Sequence, residues 1–233
     1  MGMDCVGIAY YGYESPNYKE WLDYGPEVYG FGLNETRGDE GVYLTMDDQS
    51  EYRLAIHPGE VNRMAYVGLH MKNKFAWEDG IETLRRYGIE VTVGDEELEA
   101  KRGCSGVAQF KDPDGWPHEL AYGLKYDRAR WRPGRAHAGF ESPTYGLGHT
   151  VLISNDLAKI DDYALNCMEY KWFIHGLKKG MASFYRTKLS NLSHVVAYGC
   201  NPNHQYGDTT TALPHIGIYC NTLDDVGIAY DLV

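Results

Sequence analysis

No apolar run in these 233 residues approaches the roughly 20 needed to cross a bilayer. The opening stretch MGMDCVGIAYYGYESP has no basic segment leading into a signal-type apolar stretch. A membrane span and a secretory signal are therefore not expected, and the chain reads as cytoplasmic. Cysteine is sparse. The five (Cys5, Cys104, Cys167, Cys200, Cys220) are odd in number and scattered, with no CxxC among them. That excludes the usual signatures of a disulfide framework or a zinc knuckle and leaves ordinary buried thiols. Positive charge is also short: 22 Lys and Arg against 33 Asp and Glu give a net charge of −11. Such a surface repels phosphate backbones and anionic lipid, so nucleic acid and membrane surfaces are poor partners and small neutral molecules remain open.

What is present is a globular composition, 43% hydrophobic and 24% charged, enough for one large core or two ordinary ones. Tyrosine is abundant at 20 residues, and tyrosines suit the lining of a pocket for a planar ligand with polar edges.

Internal repetition says more than composition. Four segments share an apolar strand, a polar stretch and a helix-like segment: CVGIAYYGYESPNYKEWLDY from Cys5, AYVGLHMKNKFAWEDGIETLRRYG from Ala65, GLGHTVLISNDLAKIDDYALNCM from Gly146, and LPHIGIYCNTLDDVGIAYDLV from Leu213. After the first two come GVYLTMD, YRLAIHPGE, IEVTVGD and VAQFKDPDGWPHELAYG, which read as strands bounded by turns. The predicted fold is α+β, built of βαβββ modules that pair to close a core and form a cup. Residues 1–124 are read as one two-module domain and 146–233 as a second. The Pro-, Gly- and Arg-rich tract 125–145 is read as the linker between them.

Residues that begin equivalent strands should face one concave space. His149 begins the third module and His215 the fourth, and His194 in NLSHVVAYG begins a further strand of the same cup. In the first half the same register is read as Cys5 and Tyr66, a non-matching pair that puts the metal site in the second half. His57, His70, His118, His137, His175 and His204 have no such register argument and are assigned to surface or loops.

In ordered combination, RLAIHPGEVNRMAYVGLHM, GIEVTVGDEELEAKRGCSGVAQFKDPDGWPHELAYG, GLGHTVL, NLSHVVA and PHIGIYCNTLDDVGIAYDLV resemble the type I extradiol ring-cleavage dioxygenases of the vicinal oxygen chelate superfamily, over nearly the whole chain. The resemblance implies cleavage of a catechol-type diol such as 2,3-dihydroxybiphenyl by O2 at a non-haem Fe(II) centre, in aromatic catabolism. It implies that His149 and His215 are iron ligands, that His194 is the acid-base histidine, and that the protein forms a homo-oligomer. Where this chain has PH and SH the family usually has two histidines in a row. Family sites are completed by a carboxylate. The repeat aligns Tyr66 and Glu119 with His215 and that carboxylate, about 53 residues apart, which places a Glu roughly thirty residues beyond Val233. The chain is accordingly expected to be a C-terminally incomplete form. The alternatives are an inactive truncated homologue, a glyoxalase-type isomerase and a drug-binding protein on the same fold. Fe(II) and Mn(II) are not distinguished by the residues.

Overall fold

The computed structural model describes residues 2–126, 130–175, 181–210 and 215–233. Residues 127–129 of the tract read as a linker, together with Leu213 and Pro214 at the start of the fourth repeat, lie outside the described residues.

Two mixed sheets carry the fold. The first has eight strands in the order β2-β3-β4-β1-β5-β8-β7-β6. Its strands are β1 (Cys5–Ser15), β2 (Gly32–Leu33), β3 (Val42–Thr45), β4 (Leu54–Pro58), β5 (Arg63–Met71), β6 (Val91–Val93), β7 (Gly106–Lys111) and β8 (Pro117–Tyr122). Each module closes by pairing its first strand in parallel with its last, β1 with β4 and β5 with β8, and the two modules join through antiparallel β1 and β5. The second sheet, β10-β11-β12-β9-β13, repeats the plan. It comprises β9 (His149–Ser154), β10 (Lys171–His175), β11 (Ala182–Arg186), β12 (Val196–Cys200) and β13 (Ile216–Gly217), with β9 parallel to β12 and antiparallel to β13. The α+β architecture of paired βαβββ modules is thus present.

The helices follow local rules. In the first module a short α1 (Trp21–Tyr24) runs into a π turn over Gly25–Tyr29. In α2 (Lys74–Arg86) the side chain of Asn73 accepts from the backbone N–H of Ala76, which caps the start, and Ala76, Ile81 and Leu84 are buried on one stripe. Trp77 fastens that stripe to the sheet by donating from Nε1 to the Leu120 carbonyl at 3.0 Å. Helix α3 (Glu96–Arg102) stops at Gly103, whose φ of 63° is the left-handed conformation glycine adopts without strain. Asp156 caps α5 (Leu157–Asp162), and Thr222 caps α6 (Leu223–Leu232) after β13.

Helices cover one face of each sheet. On β9 the buried Thr150, Leu152 and Ser154 alternate with half-buried His149, Val151 and Ile153, so His149 lies on the face opposite Leu152, which joins Ile160 and Tyr163 in the core. On β5, Val67, Leu69 and Met71 join the helix-side core, whereas Tyr66 belongs to a second cluster with Tyr10, Tyr43 and Tyr52.

The β7–β8 turn ties the two sheets together. Trp116 donates from Nε1 to the Ile153 carbonyl at 2.7 Å, Tyr198 donates its hydroxyl to Asp112 at 2.6 Å, and Lys159 pairs with Asp114 at 2.7 Å. Residues 130–145 are also anchored. Trp131 donates to the Thr45 carbonyl, Arg135 to that of Val28, and α4 (Ser142–Tyr145) leads into β9 past a Leu147 N–H bonded to the Ile8 carbonyl.

Candidate metal centre

Three imidazoles meet on the open face of the second sheet. His149 opens β9. His194 precedes β12, where Thr150 N–H bonds to the Val195 carbonyl, so the parallel pairing sets His194 beside His149. The ring centroids of these two are 4.3 Å apart. His215 immediately precedes β13, its carbonyl accepting from Val151 N–H at 3.0 Å, and its ring centroid is 5.5 Å from that of His149. Phe184 of β11 stands edge-on to His194 at 5.1 Å, and Tyr219 lies 6.2 Å from His149. Ser193, where the family usually has a second histidine, places its hydroxyl 3.1 Å from His194 Nδ1.

The surroundings of His149 and His194 disfavour their charged forms. Burial, followed by the neighbouring His194 and His215, lowers the His149 pKa to about 4. Burial and then His215 lower that of His194. Neutral imidazoles present the lone pairs that a metal or a proton needs. Nδ1 of His149 is buried with no hydrogen-bond partner among the described residues, as suits a donor awaiting a metal. Among the described residues no group of three or more His, Cys, Asp and Glu is placed to hold a metal ion. The fit to a metal thus rests on the Nδ1 of His149, unpartnered among the described residues, and the two imidazole rings beside it.

A pH dependence follows from these shifts. Between about pH 6.5 and 4 the unfolded chain takes up a proton at residue 149 and the folded metal-free protein does not, so folding stability falls as pH is lowered through that window. His70, whose burial also lowers its pKa to about 4, adds a contribution of the same sign. Urea midpoints measured from pH 7 to 4 should decline, and His149→Phe should decline less steeply. Equal slopes would show that His149 is not held neutral.

Gly217 sets the position of the His149 ring. The two residues are directly paired, and a Cβ at 217 would strike the imidazole. Gly217→Ala should therefore weaken metal retention by about 10–100-fold, the usual effect of disturbing a ligand's support, with little change in folding. Equilibrium dialysis of the folded variant would detect it.

The same contact corrects the reading of the first half. Tyr10 pairs with Gly68 and Tyr66 with Gly12, and in each case a Cβ on the glycine would strike the tyrosine ring. Thus Tyr10, not Cys5, is the counterpart of His149, and Tyr66 is that of His215. The signal was in the sequence: a glycine two residues after the ring residue in AYYG, AYVG and PHIG. Cys5 is a buried thiol pushed up to about 12 by burial. Glu119 lies beside the tyrosine pair and accepts the Tyr10 hydroxyl at 2.8 Å.

Several other histidines are not surface residues. His118 is buried with Nε2 3.4 Å from Asp112. His204 is buried and stacks on Trp116 with ring planes 5° apart. The ring of His137 stacks on Phe140 at 4.3 Å. His57 meets the Tyr66 hydroxyl at 2.8 Å, and His70 is half-buried. The side chain of His175 is outside the described set. His137 and His204 lie in loops as expected but pack against aromatic rings, whereas His57, His70 and His118 lie on β4, β5 and β8.

No protein-family model matches the chain. The chain is 30% identical over 234 residues to a 1,2-dihydroxynaphthalene dioxygenase of Sphingobium xenophagum, covering 97% of this chain and 75% of that protein. An iron-dependent extradiol dioxygenase of Rhodococcus jostii is 25% identical, covering 98% and 77%. The crystal structure of BphC, a halotolerant catechol dioxygenase, superposes with a TM-score of 0.86 at 27% identity, covering 99% of this chain and 75% of that one. Paired modules, an imidazole cluster on the open face of the second sheet and these likenesses agree, and the chain belongs to the extradiol ring-cleavage dioxygenases of the vicinal oxygen chelate superfamily.

Proposed function

We propose that this dioxygenase opens a catechol-type aromatic diol with O2 at the His149–His194–His215 cluster, with His149 and His215 as Fe(II) ligands and His194 as the acid-base group. The observation that carries the reading is the meeting of three imidazoles, with centroids 4.3 and 5.5 Å from His149, on one face of the second sheet. Two histidines and one carboxylate leave a face of iron open for both diol oxygens and O2, and the metal's charge eases loss of a substrate proton.

The third ligand is proposed to be a glutamate at the fourth-module position that corresponds to Glu119 on β8. Glu119, beside Tyr10 and Tyr66, occupies that place in the first sheet. The diol is proposed to be one on which a second ring can sit, as in dihydroxynaphthalene. The two module pairs, 1–124 and 146–233, are proposed as a metal-free support and a catalytic domain joined by 125–145, assembling as a homo-oligomer.

His194 acts on protons. Its lowered pKa leaves the ring unprotonated at neutral pH, so it can accept the proton of a diol hydroxyl and return it to oxygen as the ring opens beside the diol. Phe184, edge-on, holds the plane of that ring.

Anaerobic loading of the enzyme with Fe(II) should give about one iron per chain, and admission of O2 to the catechol complex should yield the yellow ring-opened product. A double variant, His149→Ala with His215→Ala, should hold none. Stoichiometric iron in that variant would sink the assignment.

A further inference from the structure

The first sheet carries a second, differently filled version of the same cup. Glu119 is 1% exposed and would be a costly buried anion if unpaired. It is instead surrounded by donors. Arg102 donates from Nε to both carboxylate oxygens at 3.0 and 2.8 Å and from Nη2 to Oε1 at 2.9 Å. Gln109 donates to Oε1 at 2.8 Å, and Tyr10 donates its hydroxyl to Oε2 at 2.8 Å. The guanidinium carbon of Arg102 also lies 3.7 Å from the centroid of the Tyr66 ring, a close cation–π contact. One cation therefore touches Glu119 and Tyr66, with Tyr10 on the same carboxylate. These are the residues whose register matches His149, His215 and the carboxylate position.

We infer that Arg102 is a built-in cation, standing in the first module pair where a metal ion would stand, and that its guanidinium is what closes this cup to metal. Helix α3, inserted between β6 and β7, delivers Arg102 in its last turn, and Gly103 ends the helix there. Burial alone would lower the arginine's pKa, but Tyr66 and Glu119 reverse this and raise it, so the charge is permanent. A metal ion approaching Glu119 would meet this fixed positive charge at the carboxylate itself. The site is not sealed from solvent, because Tyr66, Gln109 and Glu119 line a cavity of about 580 Å³. Removing the guanidinium should thus leave an anionic, reachable cup that takes a small cation: a guanidinium compound with the native tyrosines, or a divalent metal once both tyrosines are imidazoles. The inference rests on the proposed metal site for the position and on the first sheet's own contacts for its occupant, and the test below removes the second sheet's ligands so that the two can fail separately.

The test uses the full chain carrying His149→Ala and His215→Ala, so that the second sheet contributes no metal, with Co(II) as the probe read by its visible absorption. Adding Tyr10→His, Tyr66→His and Arg102→Ala should create a site for about one Co(II) per chain. The same two histidines with Arg102 retained should bind at least about 100-fold more weakly. Equal Co(II) affinity with Arg102 retained, or no binding by the multiple variant when circular dichroism shows it folded, would overturn the proposal. A second measurement covers a variant that does not fold. Arg102→Ala alone should lose melting temperature and regain at least about 4 °C, or recover its fold, in methylguanidinium but not in tetramethylammonium at equal ionic strength. Absence of that specific rescue also overturns it.

Discussion

Replacing His194 with phenylalanine should slow ring opening by about 10²–10⁴-fold, the range for a lost general acid-base group, while iron content and anaerobic catechol binding are kept. The substitution retains a planar ring against Phe184 and His149, so the packing survives and only the proton-carrying nitrogens go. The two roles in the cluster have different geometric demands. A ligand must reach the metal at about 2.0–2.2 Å, whereas a proton carrier must reach the substrate at about 2.6–3.2 Å. Iron analysis and single-turnover formation of the yellow product separate them. Unchanged turnover would reduce His194 to a packing residue, and loss of iron would make it a ligand and withdraw that role from His149 or His215. A His194→Asn variant, which keeps a donor but cannot take up a proton, should be comparably slow.

Trp116→Ala should destabilise the protein by about 3–5 kcal/mol, the cost of emptying a large aromatic site in a core. Trp116 is 1% exposed, donates to the Ile153 carbonyl of β9 and stacks on His204. Its loss leaves a cavity at the junction of the sheets and a β9 carbonyl without its donor. For a chain of this length a loss of that size lowers the melting temperature by roughly 10 °C. Chemical denaturation with tryptophan-independent detection by far-UV circular dichroism would measure it. A loss below about 1 kcal/mol would mean that the β7–β8 turn does not hold the second sheet. Trp116→Phe retains most of the apolar contact and should recover the larger part of the loss.

Much of the site is legible in the sequence. His149, His194 and His215 stand at the beginnings of apolar runs, and a module repeat sends such positions to one face, so three residues spread over 67 positions converge. The register of the first half was less legible. Cys5 lies at the start of an eleven-residue strand, and β1 pairs with β5 through register shifts at Cys5/Gly7, Ile8/Tyr10 and Gly12/Tyr13. Counting from the strand start therefore misses Tyr10, since bulges break the two-residue period on which such counting depends. The glycine two residues on was the better guide, because it marks where a ring lies flat on the opposite strand.

Taken alone, the sequence determined the class of fold, the second-half location of the cluster and the identity of its three imidazoles, because repeat spacing and apolar periodicity are local properties of the chain. Tertiary structure decided what those local patterns cannot carry. It buried His118 against Phe110 and His204 against Trp116, and it lowered the pKa of His149 by burying the ring and then by bringing His194 and His215 beside it. It also placed Arg102, from a helix with no buried residues, onto a carboxylate 17 positions away. Burial and charge pairing are sums over neighbours distant in sequence, and they exist only once the sheets have closed.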